Sequence, residues 1–152
     1  MTEKDYQEAG TRLAAELIGL KLENLPQYLA RNRDVLIRSD RPFADYMRMI
    51  LKEKGIQQQD VFLAADLSER YGYKLISEEK HTRQRDVILR ICLAAKLDEL
   101  ETDEALTLYG MAPLSPRIPR DIAFITAINN RIFDIHDVDA ILRENNLPPF
   151  LT

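Results

Sequence analysis

The chain has 152 residues, 45% of them hydrophobic and 30% charged, with a formal net charge of −4. That is enough for one domain with a real core and short for two. The charge counts against a large non-specific nucleic-acid surface, though not against a compact basic face. No apolar run approaches the roughly 18 residues of a membrane span. The opening "MTEKDYQEAG" lacks the basic-then-apolar pattern of a leader. The lone cysteine, Cys92, excludes an internal disulfide framework and reads as a buried small hydrophobe in "ILRICLAAKL". A cytoplasmic location with no membrane association is expected.

Helical periodicity runs the length of the chain. Residues 3–18 carry Tyr6, Ala9, Leu13, Leu17 and Ile18 as a loose apolar stripe. Asn24 with Gln27 predicts a capping box opening a short helix to about Arg33. Asp40 and Pro42 mark the next start, Phe43, Tyr46, Met47, Ile50 and Leu51 share one face, and Gly55 supplies the stop. Two short helices follow, at about 57–65 and 69–78. Residues 84–96 give another, with Val87, Ile88, Ile91, Cys92 and Ala95 inward. Thr102 is a cap for a helix over 103–109, closed by Gly110. The proline-rich "MAPLSPRIPR" reads as a connector. Two helices at about 120–129 and 135–145 precede an irregular "NNLPPFLT". No strand, repeat or low-complexity run is evident. The reading is all-α, in three parts: an N-terminal helical extension (1–41), a core (42–110) and a C-terminal helical pair (111–152).

Charge is segregated along the chain. "KHTRQRDVILR" (80–90) and "RNRDVLIRSDR" (31–41) are basic, whereas "DELETDE" (98–104) is acidic. Catalysis finds little footing, because His81 and His136 are the only histidines, and neither a Cys-His grouping nor a glycine-rich phosphate loop is present. No enzyme activity, cofactor or metal is expected. "FDIHDVD" (133–139) resembles a metal cluster only superficially. Asp134 as cap, Asp137 completing a capping box, and Phe133 stapled onto Val138 account for it, with His136 exposed.

The stretch "DVFLAADLSERYGYKLI" (60–76) is more informative. Val61, Ala65, Leu67 and Leu75 fall where two steeply crossing helices touch, Asp66-Leu67-Ser68 forms the turn, and Ser68 caps the second helix. With "LKEKGIQQQDVFLAADLS" before it and "RDVILRICLAAKLDEL" after it, the segment from about 43 to 109 resembles the phage-repressor family (lambda repressor, Cro and XRE) of helix-turn-helix proteins. In that family a small residue usually stands at the position of Phe62 and a β-branched one at that of Gly72. Here the sizes are exchanged, and a Phe62 ring lying over the Gly72 backbone would conserve volume. Asp66 replaces the usual turn glycine, a position where aspartate tolerates the left-handed conformation.

The resemblance implies a sequence-specific double-stranded-DNA-binding transcription regulator that reads the major groove with the helix at about 69–78. Glu69, Arg70, Tyr73 and Lys74 then project outward with Ser68 at the tip. Gln58 anchors a backbone phosphate, and Lys80, Arg83 and Arg85 line the same face. The alternative is a helical protein–protein interaction module that keeps the fold without binding duplex. Ile122, Ile125, Ile128, Ile135, Val138, Ile141 and Leu142 give the C-terminal pair an apolar surface that either closes over the core or makes a homodimer.

Overall fold

The computed structural model describes residues 1–151. Among them are nine α-helices and no strand: α1 (Glu3–Ile18), α2 (Leu25–Arg31), α3 (Pro42–Lys54), α4 (Gln58–Ala64), α5 (Glu69–Ile76), α6 (Arg85–Ala94), α7 (Glu99–Leu108), α8 (Pro119–Asn129) and α9 (Ile135–Glu144). No helix is long and apolar enough to cross a membrane.

From α3 onward one continuous apolar core runs through every helix to Phe150. Phe43, Met47 and Ile50 of α3, Phe62 of α4, Leu75 of α5 and Phe124 of α8 are all fully buried. The central α6 packs against α4, α7 and α9, and α7 also meets α3 and α8. Cys92 lies inside this core, where burial pushes its thiol up to about 12. A thiol held neutral in this way is unreactive at physiological pH.

Six helix ends close alike. A residue takes a left-handed conformation and the apolar residue after it folds back, its amide reaching a carbonyl five positions upstream. Two of these ends use Gly55 and Gly110. The other four use Asp66, Lys96, Arg131 and Asn146. The apolar residues that fold back are Ile56, Leu67, Leu97, Met111, Ile132 and Leu147.

Several local expectations are corrected. Asn24 makes no side-chain cap bond, because a 3-10 turn over Leu22–Asn24 leads straight into α2, which ends at Arg31. Asp98, not Thr102, opens α7. Asp98 and Glu101 form a reciprocal capping box, and Thr102 is a fully buried residue inside the helix. Asp134 does cap α9, accepting from the His136 and Asp137 amides, but Asp137 returns no bond, and Phe133 lies under the Arg131 guanidinium, 5.0 Å from it.

The C-terminal pair closes over the core. Ile128, Ile135, Val138 and Leu142 are buried, with α8 on α7 and α9 on α6. Two ion pairs lock this arrangement. Arg85 of α6 grips Asp121 of α8 at 2.8 Å, and Arg120 of α8 grips Asp86 of α6 at 2.7 Å. Burial alone would raise the Asp121 carboxyl, but Arg85 and the Ser115 amide hold it below its ordinary value. The tail is irregular but anchored. Asp139 accepts from the Phe150 and Leu151 amides and from Arg143, and against the effect of its burial these donors bring it down to about 2.

The N-terminal hairpin differs. None of the sixteen residues of α1 is buried, and in α2 only Tyr28 is. The Tyr6 ring meets Tyr46 at 5.3 Å and its hydroxyl donates to Glu104, while the Glu3 amide donates to Glu53. Of the expected stripe, Tyr6, Ala9 and Leu13 are half-buried and Leu17 and Ile18 are exposed.

Candidate functional site

Helices α4 and α5 are joined by Ala65–Ser68. The Leu67 amide bonds the Phe62 carbonyl at 2.9 Å and Asp66 turns the chain at φ 55°. Arg90 of α6 holds the turn from outside, donating to the carbonyls of Ala65 at 2.9 Å and Asp66 at 2.8 Å. The Ser68 hydroxyl accepts from the Tyr71 amide and starts α5. Val61, Ala65 and Leu75 are buried between the helices and Leu67 is half-buried.

The Phe62 ring lies directly on the Gly72 backbone. A Cβ added at Gly72 would overlap the ring at Cδ1, Cγ and Cε1. One contact therefore explains both unusual residues: the ring needs the space that only glycine leaves. The Tyr73 ring stands edge-on against Phe62, centroids 4.8 Å apart, and is still 43% exposed.

The outer side of α5 presents Glu69 and Arg70, both exposed, with Tyr73 partly and Lys74 half so. Glu78 reverses the chain at φ 59°, accepting from the Ala44 amide with its carboxylate, and the Lys80 amide returns to the Lys74 carbonyl. The following loop is fixed by Tyr109, whose hydroxyl accepts from the Thr82 amide and whose ring stacks on His81 at 4.9 Å. Burial raises the Tyr109 hydroxyl above its ordinary value despite that amide. Lys80 and Arg83 thus stand exposed on a pinned loop beside α5. Gln58 is half-buried as the first residue of α4.

Arg85 is withdrawn from this face. Its guanidinium is committed to Asp121 and to the carbonyls of Ala112 and Pro113, so it joins α6 to the connector and to α8. Arg41, absent from the expected set, donates to the Ser77 carbonyl and adds a cation at the C-terminal end of α5. Its only sequence signal is membership of the basic stretch 31–41.

Among the described residues Arg70, Lys74, Lys80 and Arg83 have no side-chain partner. Glu78 and Glu79 lie among them, and further carboxylates stand at the other edge. Asp60 and Glu69, with Gln59, Leu63 and Leu67, surround an open cleft of about 350 Å³. Leu63 there is 81% exposed. The face is therefore mixed: acidic and apolar at the α4 edge, and from Arg70 to Arg83 four unpaired cations interleaved with Glu78, which lies 3.6 Å from His81, and with the exposed Glu79. Comparison with protein-family models, with curated proteins and with solved structures finds no match to the chain.

Proposed function

We propose that α4 and α5 act as a DNA-binding helix-turn-helix of the phage-repressor type, and that the chain is a sequence-specific duplex-binding transcription regulator. The observation that carries this reading is the set of four unpaired cations on the face. Arg70 and Lys74 on α5 and Lys80 and Arg83 on the pinned loop have no side-chain partner, and Arg70, Lys80 and Arg83 are exposed. In the major groove Arg70 would reach guanine bidentately, Tyr73 would touch a thymine methyl or a phosphate, and Lys74 would contact guanine or phosphate. Lys80, Arg83 and Arg41 would hold backbone phosphates. Glu69 needs a cytosine amino group, since it repels phosphates.

Fluorescence anisotropy with a random duplex tests this. About four phosphate contacts imply roughly a 100-fold loss of affinity between about 50 and 200 mM salt. Arg83→Glu should abolish binding with the thermal midpoint unchanged, because the side chain is exposed and makes no hydrogen bond or ion pair in the fold. No association at the lower salt would sink the proposal.

The Leu63 cleft favours a second reading, docking of a protein segment with apolar and basic side chains at the α4 edge. Leu63→Glu would then remove partner binding and leave duplex affinity intact.

A further inference from the structure

We propose that the closed end of the N-terminal hairpin is a self-association surface whose occupant is a second copy of this chain. The hairpin is the least satisfied part of the molecule. Helix α1 fully buries none of its sixteen residues, and of its apolar stripe Tyr6, Ala9 and Leu13 are only half-buried, so little packing supports a helix that is marginal on its own. Beneath it, clefts of about 310 and 290 Å³ lie between the hairpin, the 35–39 segment and the core, so the core does not supply the missing cover.

Where α1 passes into α2, Leu17, Ile18, Leu22, Leu25 and Leu29 are all exposed, Ile18 at 90% and Leu22 at 88%. Leu22, Leu25 and Leu29 follow one another at spacings of three and four, which puts them on one side of the α2 arm. Together the five present an apolar area of roughly the few hundred Å² that marks an interaction site on a soluble protein. Among the other large exposed apolar side chains from α3 onward, Leu63, Tyr73 and Leu100 stand on separate helices, and Ile118 and Ile122 make a pair at the start of α8.

The rim of the patch identifies the occupant. Lys21 and Glu23 flank Leu22, are exposed, and have no ion-pair partner among the described residues. A two-fold interface is self-complementary, the same patch serving both sides. An axis near Leu22 would place Lys21 of one copy against Glu23 of the other, twice, around a shared leucine centre. A patch carrying one sign of charge could not pair with itself, whereas this one carries both. The C-terminal pair offers less, because Ile128, Ile135, Val138 and Leu142 are buried in the core and only Ile122, with Ile118 before it, is exposed. The inference is independent of duplex binding, since the hairpin packs on α3 and reaches α7 through Glu104.

Sedimentation velocity of the full chain from about 5 to about 200 µM should show a monomer–dimer equilibrium. Leu22→Glu combined with Leu25→Glu should weaken it by at least about 100-fold. Helical circular dichroism should not change, because Leu22 is 88% and Leu25 39% exposed, and the thermal midpoint should lose its dependence on concentration. Leu22→Cys should cross-link to itself on mild oxidation, with the native Cys92 buried and silent. A chain that stays monomeric throughout the range would overturn the proposal. So would a dimer that survives the double substitution, or one that Ile122→Glu disrupts instead.

Discussion

The turn between α4 and α5 and the turn between α6 and α7 are built alike from different side chains. In the first, the Leu67 amide reaches the Phe62 carbonyl at 2.9 Å; in the second, the Leu97 amide reaches that of Cys92 at 3.1 Å. Asp66 and Lys96 supply the left-handed residue, at φ 55° and 56°. Ser68 and Asp98 cap the helices that follow. In each, a cation from elsewhere caps the turn carbonyl, Arg90 on Asp66 and Lys54 on Lys96. Six residues before and four after the start of each cap stand Phe62 with Gly72 and Cys92 with Thr102, all buried. One pair puts nearly all its volume on the first helix and the other divides it. The backbone accepts either division, and what differs is how far the second helix is enclosed. Helix α7 is enclosed by α3, α6 and α8, whereas α5 packs on α3 and α4 and keeps an outward side.

The largest test of that equivalence is the Phe62–Gly72 contact. Phe62→Ala should cost about 3–5 kcal/mol in urea unfolding, the range for an emptied aromatic site. Gly72→Ala is the sharper probe, because helix propensity alone favours alanine by about 1 kcal/mol. The overlap with the ring should reverse that sign and leave a net loss of about 1–3 kcal/mol. The double variant should lose less than the sum of the singles by more than about 1 kcal/mol, since the added methyl fills space that the ring vacated. A stabilising Gly72→Ala would separate the two turns as different devices.

The outer clamps come next. Arg90→Met leaves two turn carbonyls without their donor and should cost about 1–3 kcal/mol. Lys54→Met removes one longer bond to the Lys96 carbonyl and an ion pair to Glu101, and should cost about 1 kcal/mol. Hydrogen exchange at the Leu67 and Leu97 amides would show which turn loosens. If Arg90→Met left Leu67 as protected as before, the clamp would be incidental.

These residues also show what the sequence could reveal. Helix positions and the inward residues of α3, α5 and α6 follow from apolar spacing, and Gly55 and Gly110 mark two ends openly. The ends at Asp66, Lys96, Arg131 and Asn146 carry no glycine, and the usable signal there is the apolar residue that follows. Thr102 resembled a cap because it precedes a helical stretch, but Asp98 with Glu101 satisfies more amides, so the helix begins earlier. At the candidate site, Arg70, Lys74, Lys80 and Arg83 were legible as outward cations from local position alone. Arg85 was not, because its partner Asp121 lies 36 residues away and on another helix. Arg41 was missed for the same reason in reverse: only tertiary packing brings it beside α5.

The smallest effect separates the two left-handed residues themselves. A side chain in that conformation costs an ordinary L-residue about 1–2 kcal/mol. Aspartate, with a short polar side chain that can bond locally, bears less of that cost than lysine does. Glycine removes it but gives the unfolded chain more freedom, which takes back about 0.4–1 kcal/mol. Lys96→Gly should therefore raise stability by about 0.5–1 kcal/mol, and Asp66→Gly by no more than a few tenths. The neighbouring amides Leu67 and Leu97 keep their bonds in both variants, so the difference isolates the side chain. Thermal midpoints measured on the two single variants would decide it. Equal gains would mean that the Asp66 carboxylate gives its own turn no relief, and that aspartate there answers to the outward face of α5 and not to the backbone.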